Sequence, residues 1–138
     1  MATKVRYLVD TNIWLERLLN QDKSEVVSEF LRLVPPSQLF VSDFAIHSIG
    51  VILSRLDKID TLHIFLNDLF INGQIEQLTL EPLDLIDVAD NIKEFKLDFD
   101  DSYQYTIAEK YDLTLVTFDK NFKALGLKKK TPQEIISK

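Results

Sequence analysis

Four aspartates in this chain fall where they could act together. Asp10 closes the run "VRYLV", Asp119 closes "LTLVTF", and Asp100 with Asp101 opens "DDSYQYTIAEKY", the segment leading into that second run. Carboxylates brought within a few ångström repel and raise each other's pKa, a cost that a cation among them removes. The chain has no Cys and two separated His. Oxygen-only donors suit a hard ion, Mg²⁺ or Mn²⁺ rather than Zn²⁺. Such an ion activates water and neutralises charge on phosphate oxygens, so the chemistry expected is phosphodiester hydrolysis. Taken singly, each Asp could instead cap a helix, worth about 1 kcal/mol. Capping does not explain a converging set.

The expected elements place them together. Val5 to Val9 is a short run of β-formers ending at Asp10, and a helix follows. Asp22, with Glu25 three positions later, is expected to cap a helix bearing Val26, Phe30 and Leu33 as one stripe, stopped by Pro35 and Pro36. "QLFVSD" reads as a second strand, and Ser42 or Asp43 as the cap of a helix with Ala45, Ile49, Ile52, Leu53 and Leu56 in register. "TLHIFLNDLFI" reads as a largely buried helix stopped at Asn72 and Gly73. "IEQLTL" is the third strand. A helix after Pro82 carries Leu85, Ile86, Ala89, Ile92 and Phe95, another starts at "DFDD", "LTLVTF" is the fourth strand, and "TPQEIISK" is a short last helix. Alternating strands and helices imply a mostly parallel sheet covered on both faces, a three-layer α/β/α domain. Ligand sites in such sheets lie beyond the carboxyl ends of the strands, where Asp10 and Asp119 are expected.

Composition narrows the class. At 138 residues and 46% apolar, with three Gly and four Pro, the chain is expected to form a single domain over residues 1–138. No apolar stretch reads as a signal peptide or membrane span, so a cytoplasmic protein without membrane contact is expected. A net charge of −6 opposes a broad polyanion-binding surface. The strongest basic cluster, "LKKKTP" with Lys120 and Lys123, reads as a solvated face that could also position RNA phosphates.

"YLVDTNIWLE", "DDSYQYTIAEKYDLTLVTFDKNF" and "KTPQEI" together resemble the PIN-domain nucleases, including the VapC-like toxins of toxin-antitoxin pairs. The resemblance implies a Mg²⁺- or Mn²⁺-dependent ribonuclease acting on an RNA substrate, with an antitoxin protein as partner and a homodimer as assembly. Carried over position by position, it implies catalytic and metal-binding roles for Asp10, Asp101 and Asp119, with Asp100 as a neighbouring metal-site candidate and Asn12 and Thr117 flanking.

One position departs from the family pattern. The second acid, a Glu six residues beyond a Ser, falls here on Ser48, with His47 beside it. Asp43 and Glu16 are the candidate stand-ins, and His47 is read as structural rather than as a general base. The gap sustains a second reading, a PIN scaffold whose catalysis has lapsed and which binds RNA or protein. A receiver or haloacid-type phosphoryl-transfer domain also places Asp at a strand end, yet its usual second acid two positions on is Asn12 here. Trp14, Tyr103 and Tyr105 could stack bases, but their helical spacing reads as packing.

Overall fold

The computed structural model describes residues 4–120 and 126–137. Among them a five-stranded, all-parallel sheet runs in the order β3-β2-β1-β4-β5: β1 Tyr7–Val9, β2 Leu39–Ser42, β3 Glu76–Leu78, β4 Thr114–Val116 and β5 Lys129–Lys130. The helices are α1 Thr11–Leu18, α2 Ser24–Leu33, α3 Asp43–Arg55, α4 Ile59–Leu66, α5 Asp84–Phe95, α6 Phe99–Lys110 and α7 Pro132–Ile136. A wider turn, Asn67–Asn72, extends α4.

Side-chain alternation along the strands splits the core in two. Tyr7, Val9 and Val41 face a layer formed by α1, α2, α3, α4 and α7, whereas Leu8, Phe40 and Leu115 face α5 and α6. The architecture is therefore the expected three-layer α/β/α arrangement. Fully buried Leu8, Phe30 and Ile107 each contribute about 1.5–3 kcal/mol by leaving water. Among the described residues no helix is long and apolar enough to cross a membrane.

Local signals explain where the elements begin. Ser42 Oγ accepts the Ala45 N–H at 2.9 Å and starts α3, settling the choice between Ser42 and Asp43. Thr131 and Glu134 form a reciprocal capping box on α7. After α4, a side chain at Gly73 would place its Cβ 2.7 Å from the Asp68 carbonyl, so this close approach requires glycine.

Other expectations shift. Asp22 does not cap α2: Lys23 occupies the N-cap, and its N–H donates to Glu16 Oε2 at 2.7 Å. The helix starts later than expected, and its buried residues are Val27 and Phe30, with Leu33 exposed. The α4 segment packs on one side only, through Phe65 and Leu69, leaving Ile64 and Ile71 in solvent. On α5, Val88 is the buried residue and Leu85 and Ile86 are exposed. Part of the basic cluster forms a strand rather than a solvated face: Lys129 and Lys130 are β5, half-buried at the sheet edge. Charged residues on an edge strand discourage further pairing. Lys123 lies outside the described residues.

Candidate ion-binding cleft

The strand order makes β1 and β4 neighbours, with Val9 opposite Val116, so the residues leaving both strands emerge side by side. Asp10 follows β1, and its N–H donates to the Val116 carbonyl at 2.9 Å. Thr117 follows β4, is wholly buried, and donates its hydroxyl to Asp10 Oδ2 at 2.8 Å. The same hydroxyl oxygen accepts Asn12 Nδ2 and the Asp119 N–H, both at 3.0 Å. Asn12 Oδ1 in turn accepts the Phe118 N–H at 3.2 Å. Asn12 and Thr117 thus tie the two strand exits together and fix where Asp119 leaves the sheet.

Asp10 also caps α1, accepting the Thr11 N–H at 2.8 Å. Capping and cleft position coexist in this residue. Its Oδ1 takes a further hydrogen bond, from Gln104 Nε2 at 3.0 Å. Asp101 arrives on the first turn of α6, whose N-cap is Asp98, the acceptor of the Asp101 N–H at 2.9 Å.

A cleft of about 290 Å³ is lined by Asp10, Asp100, Asp101, Asp119, Gln104 and Ser48, among others. All four aspartates singled out in the sequence therefore border one concavity. Burial, then repulsion from Asp98, Asp119, Asp10 and Asp100, pushes the Asp101 carboxyl up to about 7. Burial also raises Asp10, opposed by the hydrogen bonds from Gln104, Thr117 and Thr11 and reinforced by the Asp119 charge. Among the described residues no three acidic or histidine side chains stand close enough to hold one ion as they are. The donors are oxygens throughout, so the cleft fits a hard divalent cation.

The candidate stand-ins for the second acid do not reach the cleft. Asp43 is held by Tyr103, whose hydroxyl donates to both of its carboxylate oxygens at 2.9 and 3.2 Å. Burial and this carboxylate push the Tyr103 hydroxyl up to about 12. Glu16 is committed to the Lys23 N–H. His47 is exposed and turned away, whereas Ser48 lines the cleft without bringing charge. Trp14, Tyr103 and Tyr105 are buried, in keeping with packing rather than stacking.

Two features escaped the sequence reading. Gln104 had a usable signal, a polar residue three positions after Asp101 and so on the same face of α6. Phe44 had none: it lines the cleft and packs at 6.2 Å on the half-exposed Phe99 and at 5.2 Å on Tyr103, between ring centroids.

The sequence profile of the PIN domain matches residues 7–128. This chain belongs to the PIN domain family. Solved structures share the fold along nearly the whole chain. A toxin-antitoxin complex from Klebsiella pneumoniae has 20% identity and a TM-score of 0.73, covering 91% of this chain and 97% of its own. VapC20 from Mycobacterium tuberculosis, a sarcin-ricin-loop-cleaving toxin, has 14% identity and a TM-score of 0.74, covering 88% and 95%. VapBC2 from Rickettsia felis, bound to a DNA fragment from its promoter, has 16% identity and a TM-score of 0.72, covering 92% and 98%. Among curated proteins no sequence match is found.

Proposed function

We propose that this PIN domain is a divalent-metal-dependent endoribonuclease and the toxin half of a toxin-antitoxin pair. The observation that carries the reading is the shared cleft: Asp10, Asp101 and Asp119 come from β1, α6 and the exit of β4 and border one concavity. Asp10, Asp101 and Asp119 would hold the ion, with Asp100 at the rim. Bound there, Mg²⁺ or Mn²⁺ supplies an activated water and offsets the charge that builds on the phosphate.

The protein's own part is positioning. Thr117 and Gln104 fix the Asp10 carboxylate from two sides, and Asn12 holds the β4 exit against α1. Asp101, with its carboxyl pushed up to about 7, is largely protonated in slightly acidic solution and gives up that proton as a cation arrives. Phe99 presents a half-exposed ring beside the acidic rim, a surface on which an unpaired base of single-stranded RNA can stack.

The fold relatives that are toxin-antitoxin complexes support the antitoxin partner. An apolar groove of about 310 Å³, bordered by Trp14, Leu18, Ile64, Phe65 and Leu69, offers the surface such a partner needs. Leu83 and Ile86, both exposed at the start of α5, support a homodimer as the assembly.

Cleavage of mixed RNA in Mg²⁺ or Mn²⁺, by wild type and by Asp10→Asn, tests the reading. Activity present in wild type and abolished by the substitution or by chelation supports it, whereas activity equal in both contradicts it. Ser48 at the second acid position favours a second reading, a lapsed PIN domain that holds RNA or protein without cutting. On that reading wild type binds Mn²⁺ weakly or not at all.

A further inference from the structure

One polar atom in the cleft wall is left over by the interactions that build it. Gln104 is 3% exposed and lines the cleft. Its Nε2 donates to Asp10 Oδ1, while its Oε1 is buried without a hydrogen-bond partner, the only such side-chain atom among the described residues. The orientation of the amide follows from its neighbour, because an ionised carboxylate only accepts and so must face the nitrogen. A buried carbonyl oxygen without a donor costs about 1–3 kcal/mol, and such groups are rare enough in native proteins to call for a reason.

The surroundings supply one. Gln104 lies on the face of α6 that carries Asp101 and reaches across to the strand end that carries Asp10. Ser48 also lines the cleft and brings no charge to the position where a further acid is expected. Carboxylate, carbonyl and water oxygens are the ligands that Mg²⁺ and Mn²⁺ accept, and an amide carbonyl is among them.

We propose that Gln104 supplies, through Oε1, a neutral oxygen ligand to the divalent ion, completing a donor set begun by Asp10, Asp101 and Asp119. The inference rests on the metal-dependent reading above and adds to it a residue outside the acidic set. It also assigns the two ends of one amide different tasks: the nitrogen orients Asp10 and the oxygen meets the ion.

Calorimetric titration with Mn²⁺ alone, on wild type, Gln104→Met and Gln104→Glu, separates these tasks. Gln104→Met keeps the bulk and removes both polar ends; its Mn²⁺ affinity is expected to fall roughly 10-fold or more. Gln104→Glu keeps the oxygen, adds charge and loses the donor to Asp10. If the oxygen meets the ion, this variant binds Mn²⁺ more tightly than wild type and gains thermal stability on adding it. Because the added charge by itself also attracts a cation, the deciding arm is a wild-type crystal soaked in Mn²⁺: the anomalous peak lies within coordinating distance of Gln104 Oε1 if the oxygen meets the ion, and beyond it if the nitrogen merely orients Asp10. Gln104→Met binding like wild type, or Gln104→Glu binding more weakly than wild type, overturns the proposal and leaves the nuclease reading standing. Wild type that binds no Mn²⁺ overturns both.

Discussion

Thr117 Oγ1 donates to Asp10 Oδ2 at 2.8 Å across the ends of two adjacent parallel strands, joining residues 107 positions apart. That single hydroxyl also accepts from Asn12 and from the Asp119 backbone. It connects three of the stretches that build the cleft, and its removal should be felt in all of them.

Thr117→Val keeps the shape and deletes the hydroxyl. Two donors and one carboxylate oxygen then lose their partner in a buried setting, at a cost of about 1–3 kcal/mol. Chemical denaturation should show that loss with an unchanged m-value, and Mn²⁺ titration should show about 10-fold weaker binding because Asp10 is no longer oriented.

The raised Asp101 carboxyl makes stability depend on pH with a definite sign. Its folded pKa of about 7 lies above the ordinary carboxylate value of 3.8, so the folded state holds more protons across that interval. Stability is therefore full below about pH 4 for this group and is lost as pH rises toward 7. Asp101→Asn removes the dependence and is expected to stabilise the metal-free protein at pH 7 by about 1–2 kcal/mol, the full displacement being discounted because the group is only half-buried. Thermal melts in metal-free buffer at pH 5 and pH 7.5 check this. A wild-type melting temperature that rises between those two values, relative to the variant, argues against the assignment.

Phe99 is half-exposed, so its truncation costs the fold little. Phe99→Ala should weaken binding of single-stranded RNA by about 1–3 kcal/mol, the range for loss of one base-aromatic stack. Fluorescence anisotropy with a labelled oligonucleotide in Ca²⁺ measures it. Undiminished affinity would remove Phe99 from the RNA path.

The sequence was most legible where chemistry and periodicity agreed. Asp10 and Asp119 end apolar strand runs, and parallel pairing of β1 with β4 makes their meeting nearly unavoidable. Patterns that depend on where a helix starts were harder to read. Asp22 and Glu25 have capping spacing, but the Glu16 carboxylate takes the Lys23 N–H and α2 starts at Ser24, with Val27 fully buried and Val26 only partly so. The two-residue β5 was hidden because Lys129 and Lys130 have no apolar signal; their place follows from backbone pairing with Leu115 and Val116. Gln104 shares a helix face with Asp101, a signal the sequence carries, but its partner is a carboxylate 94 positions away that only the fold brings near.

The central claim is that oxygens from Asp10, Asp101 and Asp119 converge on a single divalent ion. A crystal soaked in Mn²⁺ and measured at the manganese absorption edge tests it most directly. The account predicts an anomalous peak in the cleft within coordinating distance of all three carboxylates, drawn closer together than they stand without metal. A peak elsewhere on the surface, or none at millimolar Mn²⁺, would contradict it.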